Sequence, residues 1–358
     1  MMVQCPHMRR FFFSFLLLSF FGFGCSADTT PSTPSFTSPM NGGGSTNSET
    51  PATVPDVLYT SFIINVHDWS NPTQSIATLN HILDIHEKYQ IPVDIYLDDP
   101  VVQMYAVQAK DLLERLRTSP LAAVSYHLRP PYPYYTDFDW KGLDALSTSD
   151  LTALLTNYET HAIDLTTGEP TTAPGGYQYL KDLMGYAPYT VAGVQAGAVD
   201  KLANDLYQSM GAQMTLVHGR ETKLGQKEGG LWLRPETLEV KVYEKKNRYA
   251  GEDVWKDSVA KISSTGQRFI NLKWHEDNFY TSGTPWGAVY YDGGDKTKPL
   301  TPPFDLSAAN VPAISQPKTD AQQSEQWQRY EELVSYVASH KDEVTALNSP
   351  QILELMPE

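Results

Sequence analysis

The chain has 358 residues, with 42 acidic against 27 basic side chains, a formal charge of −15 and two cysteines, Cys5 and Cys25. The length allows one large domain or two small ones, and 41% hydrophobic content with 11% aromatic residues is enough to fill a sizeable core. The acidic balance excludes a nucleic-acid partner, which needs a basic face to displace counterions, and two cysteines make no disulfide framework.

Residues 1–24 contain no acid, carry Arg9 and Arg10, and run apolar from Phe11 to Phe23 before Gly24-Cys25. A basic start, an apolar stretch too short to span a bilayer comfortably and a small-residue exit are the layout of a secretory signal. Gly24-Cys25 resembles the lipobox of bacterial lipoproteins, with Gly22 where leucine is preferred, and this implies a membrane anchor through a lipid on Cys25 at the cell envelope. The alternative is cleavage after Ala27, giving a soluble periplasmic or secreted protein. Residues 25–55 are rich in Ser, Thr, Pro and Gly and poor in apolar side chains, so they are expected to be a flexible tether. Removing residues 1–24 deletes Cys5, Arg9 and Arg10, leaves Cys25 as the one thiol, and makes the remainder more acidic still, which favours a neutral glycan over an anionic polymer.

Residues 56–358 are expected to be a single catalytic domain in which short β-rich runs alternate with amphipathic helices, the pattern of βα units around a parallel sheet. A strand over 61–66 is followed by Asn71-Pro72, a helix N-cap and first turn, and then by a helix with Ile76, Leu79, Ile82 and Leu83 on one face. A strand over 92–97 precedes Asp99-Pro100, read as another N-cap, and a helix to about Arg117. Further strands are expected at 121–126, 189–194, 213–217 and 268–274, with helices over 199–210 and 323–344. Seven or eight such units make an α/β barrel of about 250 residues. The stretch 223–263 shows no clear pattern, and the charged run 245–248 reads as a solvated loop.

The ionisable residues fall at the strand ends: His67 and Asp68 after the first strand, Asp98 and Asp99 after the second, His127 and Arg129 after the third, then His218, and His275-Glu276-Asp277 last. In parallel α/β folds this edge builds the active site, so the clustering favours an enzyme. Asp99 is explained by capping, whereas Asp98 is open between site and surface; Glu276 and Asp277 are open between site and solvent. His81, His86, His161 and His340 read as helix surface. Aromatic side chains after His127 (Tyr132, Tyr134, Tyr135, Phe138, Trp140) and after His275 (Phe279, Tyr280, Trp286, Tyr290, Tyr291) either stack on sugar faces or form a satellite core under long loops.

Residues 64–72, the helix 80–89 with Ile91-Pro92-Val93, Tyr126-His127, the segment 173–177 and Lys273-Trp274-His275 together resemble the motifs of the polysaccharide deacetylase (NodB-homology) superfamily. The resemblance implies a distorted (β/α)7-8 barrel and an exported metal-dependent hydrolase that removes acyl groups, acetyl above all, from a glycan. It implies a divalent metal, zinc by preference, on Asp68 and His127. A catalytic histidine is implied at His275, with His67 in place of the family's general-base aspartate. The sequence departs from the family at Pro131, where a second metal histidine is expected, and at Thr172, where an arginine is expected. Arg129 is the candidate for the missing positive charge, and Asp98, His218 and Glu276 are candidates for a further ligand or for lining the site. A catalytically silent glycan-binding protein and a hydrolase of another carbon–nitrogen or glycosidic bond are the alternatives. No obligate protein partner is inferred.

Overall fold

The first strand, β1 (Val57–Val66), is buried along nearly its whole length, as a strand covered on both faces must be. The computed structural model describes residues 56–194, 198–242, 251–311 and 314–357; the expected leader, Cys25, the tether and the charged run 245–248 lie outside the described residues. From Thr53 to Glu358 the chain forms one compact unit. Among the described residues no helix is long and apolar enough to cross a membrane.

After β1 come α1 (Pro72–Tyr89), β2 (Val93–Leu97), α2 (Asp99–Gln108), α3 (Lys110–Thr118) and β3 (Ala122–His127). The single helix expected from Asp99 to Arg117 is two, because Ala109 leaves the helical region at φ −142°, ψ 47°. The N-cap of α2 is Asp98, whose carboxylate accepts the Val101 N–H, and not Asp99 as the Asp-Pro pair suggested. Asp99 instead accepts the Gly176 N–H at 2.8 Å and the Gln103 side-chain amide at 3.1 Å, tying α2 to a later turn. Asn71 stands at the N-cap position of α1 without capping it.

The chain continues through α4 (Thr148–Thr160), β4 (His161–Ile163), β5 (Pro170–Pro174), α5 (Gly176–Met184), β6 (Thr190–Ala192), α6 (Ala198–Met210) and β7 (Met214–Leu216). The patternless stretch holds β8 (Lys227–Glu228), β9 (Leu231–Leu233), β10 (Leu238–Lys241) and α7 (Glu252–Val259). Then come β11 (Gln267–His275), α8 (Gly287–Tyr290), α9 (Asp320–Ser339), β12 (Thr345–Ala346) and α10 (Ser349–Leu353). His86 is not on the surface: it is buried beneath α9, with Nδ1 2.9 Å from the Ile91 carbonyl and Nε2 2.6 Å from the Tyr330 hydroxyl.

The main sheet runs β10-β11-β1-β2-β3-β6-β7-β9-β8, with β12 beside β1. Every pairing is parallel except β8 with β9. The sheet curls. Arg234, just past β9, places a guanidinium nitrogen 2.6 Å from the Asp94 carboxylate on β2, although three strands separate β9 from β2 in the sheet. In a flat sheet, at about 4.8 Å per strand, those positions would lie roughly 19 Å apart, beyond any side chain. The Arg234 and Asp94 side chains are fully buried, and Ser349 at the start of α10 joins them: its hydroxyl accepts from Arg234 at 2.7 Å and its N–H donates to Asp94 at 2.8 Å. This knot ties the segment after β9 and the start of α10 to the beginning of β2.

A second buried carboxylate binds helices together. Glu159 on α4 accepts the hydroxyls of Tyr134 and Tyr207 at 2.5 and 2.6 Å and the N–H of Tyr177 at 2.9 Å. The aromatic residues of the two long loops pack inward: Phe138 meets Tyr290, Tyr291 and Phe304, and Tyr132 meets Tyr134 and Tyr158. With all of them except Trp140 buried, they form the satellite core rather than an exposed stacking platform.

Candidate active site

The opposite end of the sheet gathers the strand-end residues. β1 and β11 are paired through Asn65 and His275, so the residues that follow each strand emerge side by side. Glu276 fastens the two exits together, because its Oε1 accepts the N–H groups of His67 at 2.9 Å and of Asp68 at 2.5 Å. Asp68 then builds the turn into α1: its carboxylate accepts the N–H and hydroxyl of Ser70, the Asn71 amide at 2.9 Å and the Tyr280 hydroxyl at 2.7 Å. That turn is where the Asn71 side chain is spent.

His67 has no such partners. Its ring is buried edge-on to His275 at 4.4 Å between centroids and to Trp286 at 5.0 Å, and neither ring nitrogen has a hydrogen-bond partner. Glu276 Oε2 lies 4.0 Å from His67 Nδ1, and His275 Nδ1 lies 4.0 Å from Asp277 Oδ1. His67, His275 and Asp277 each offer one ligand atom, and these atoms fall within 4.8 Å of one another. Two imidazoles and a carboxylate suit a divalent metal such as zinc. Asp68 and His127 are not in this group. Asp68, with four donors on its carboxylate, fits a builder of the turn better than a ligand.

His127 ends β3. The 2.6 Å approach of its Nδ1 to the Leu128 carbonyl requires Nδ1–H, since two acceptors at that distance would repel; Nε2 is left as a buried lone pair without a partner. Arg129 lies 3.1 Å from the same imidazole and donates to the Tyr135 hydroxyl at 3.4 Å, so a buried guanidinium sits beside the ring. Gly193 lies against His127 on the other side. At φ +87°, a Cβ there would meet the Leu128 carbonyl at 2.8 Å and the His127 ring at 3.0 Å. Gly193→Ala is therefore expected to destabilise the fold by about 1–3 kcal/mol and to displace the His127 ring. Urea denaturation and the His127 imidazole resonances check this; an unchanged resonance would show that the ring does not depend on the glycine.

Burial favours the neutral forms of the imidazoles and of several carboxyls at this end. Burial drives the His67 and His275 imidazoles well below their ordinary range, helped by the charge of Arg129, and His127 follows for the same reasons. Burial pushes Asp277 up to about 8, with the charge of Asp68 adding to it, and raises Glu276 well above the carboxylate range, with Asp277 and Asp68 adding. Asp98 is likewise pushed up to about 8 by burial, although the Val101 N–H opposes the rise. The neutral imidazoles of His67 and His127, each with a buried ring nitrogen left without a partner, are what a metal or a proton requires. Glu276 and Asp277, which the sequence leaves open between site and solvent, are both buried. The signal for Asp277 was its place two residues beyond a strand-end histidine; Trp286 was marked only as one of the aromatic residues after His275, and its place beside the His67 ring was not.

No protein-family model matches the chain, and no curated protein matches it in sequence. Among solved structures, a putative polysaccharide deacetylase from Mycobacterium smegmatis is similar at TM-score 0.48 and 9% identity, over 86% of this chain and 94% of that one. The peptidoglycan deacetylase PdaC from Bacillus subtilis is similar at TM-score 0.38 and 11% identity, over 86% and 93%. A 4-alpha-glucanotransferase from Thermococcus litoralis is similar at TM-score 0.45 and 12% identity, over 84% of this chain; the chain spans only 41% of its length.

Proposed function

We propose that this protein is an exported hydrolase that removes acyl groups, acetyl above all, from a glycan, with zinc held by His67, His275 and Asp277. The observation that carries this reading is the buried, charge-poor group of imidazoles and carboxyls at the strand ends, where His67 and His127 keep lone pairs without partners. Leaving buried polar atoms unpaired costs about 1–3 kcal/mol each, so such a cluster at one end of the sheet speaks for a reacting group rather than for packing. When bound, the metal supplies Lewis acidity at the acyl carbonyl and a more acidic water.

The chain's own residues do the rest. Glu276 holds the His67 backbone in place, His127 Nε2 is available to accept a proton, and the Arg129 guanidinium faces the negative charge that develops on a carbonyl oxygen under attack. Trp286 and Tyr290 exclude water from behind. The leader-like N-terminus and Cys25 support export and lipid anchoring. A silent glycan-binding protein is the second reading, favoured by Pro131 and Thr172 at positions where the resembled family has functional residues.

The test uses the mature chain with added zinc and a panel of acetylated oligosaccharides, measuring acetate release and bound metal by elemental analysis. Wild type is expected to release acetate and to carry one zinc. Asp277→Asn and His67→Ala are expected to lose the metal and to slow release at least about 100-fold. Glycan binding without acetate release from any substrate would favour the silent reading, and absence of both binding and release would remove the glycan altogether.

A further inference from the structure

A second arrangement opens on the same end of the sheet. His218 lies two residues past β7, and its Nδ1 is 2.9 Å from Glu239 Oε1 on β10. Glu239 is held in turn: Lys273 Nζ on β11 donates to the same oxygen at 2.7 Å, and Lys241 Nζ lies 3.4 Å from the other. The fully buried Lys273 also donates to Glu236 at 2.8 Å, and the Asn271 amide donates to that carboxylate at 3.0 Å. A buried lysine between two carboxylates is a poor source of stability, because desolvation offsets most of the attraction. What it does provide is a fixed place for Glu239.

With its Nδ1–H given to Glu239, His218 carries its exchangeable site on Nε2. The ring is partly exposed and lines a cleft of about 290 Å³ with Thr136, Gly193, Asp200, Arg220 and Glu228. That volume is at the small end of ligand sites, suited to a single polar unit and not to a length of polymer. The cleft lies beside the site just described: Gly193 lines it and packs against His127, whose ring lies 6.1 Å from that of His218.

We propose that His218 is a catalytic proton-transfer residue of this site, that Glu239 and Lys273 are its positioning residues, and that the cleft beside it takes the sugar unit that leaves. This rests on the hydrolase reading above. As a water oxygen bonds to the acyl carbon, the bond from that carbon to the sugar nitrogen or oxygen breaks with its electron pair passing to the sugar atom. The Nε2–H of protonated His218 supplies that atom's proton, and the proton released by the water restores the imidazolium through solvent.

The test compares acetate release from an acetylated sugar with that from 4-nitrophenyl acetate, whose leaving group departs without a proton. For His218→Gln the ratio of sugar turnover to nitrophenyl turnover is expected to fall at least about 30-fold, within the usual 100- to 10,000-fold reach of acid–base catalysis. Glu239→Ala is expected to move the ratio the same way, with Glu239→Gln, which keeps an acceptor, restoring most of it. Nitrogen-15 shifts are expected to show Nδ1–H on His218 in wild type and a mixture of tautomers in Glu239→Ala. An active wild type whose ratio is unchanged in His218→Gln overturns the assignment, as does an Nε2–H tautomer in wild type. An inactive wild type overturns the hydrolase reading, and the assignment with it.

Discussion

Replacing Arg234 by alanine is expected to destabilise the protein by about 3–5 kcal/mol, because it strands the Asp94 carboxylate in a fully buried position with only the Ser349 N–H as company. At about 2–4 °C per kcal/mol for a domain of this class, the melting temperature drops by roughly 10 °C. The size of the loss comes from the orphaned charge and not from the worth of the ion pair, which is why the double variant Arg234→Met, Asp94→Leu is expected to recover most of it. Urea denaturation of the single and double variants measures both. A single-variant loss under about 1 kcal/mol would mean that the guanidinium does not bind β9 to β2, and the curl of the sheet would need another cause.

Stability is expected to fall as pH rises from about 6.5 to 8, where many proteins are flat. Burial raises Glu159 to about 7 and Asp98 to about 8, while unfolded chains release those protons near pH 4. Between those limits the folded state holds more protons than the unfolded one, so rising pH favours unfolding, by about 1.4 kcal/mol per pH unit for each proton. The buried histidines work the other way. His86, lowered to about 4 by burial, stays neutral in the folded state while the unfolded chain takes up a proton below 6.5, so acidification also favours unfolding. The two effects oppose each other below 6.5, and only the carboxyls act above it. Urea midpoints at pH 6.5, 7.2 and 8.0 should decline in order, and Glu159→Gln should flatten the first part of that decline. A midpoint that rises across this range would sink the argument.

Much of this was legible in the sequence, and for identifiable reasons. The strands at β1, β2, β3 and β11 were visible because a strand buried on both faces is a continuous apolar run, and α1 and α9 because an amphipathic helix repeats its apolar residues every three or four positions. The short strands β8 to β10 were not, since two to four residues carry no period. The strand-end histidines could be gathered into one region from topology alone. Their grouping could not, because it depends on side-chain direction: neighbours in sequence, His67 and Asp68 turn to different tasks, one to His275 and Trp286 and the other to Ser70, Asn71 and Tyr280. The cap expected at Asp99 likewise fell to Asp98, because capping is decided by backbone angles at the helix start and not by the Asp-Pro pair.

The knot of Arg234, Asp94 and Ser349 also means that three segments far apart in sequence, the start of β2, the residue after β9 and the start of α10, share one set of hydrogen bonds. None of the three can shift without the others, so a change at any one of these residues is expected to be felt in all three elements at once.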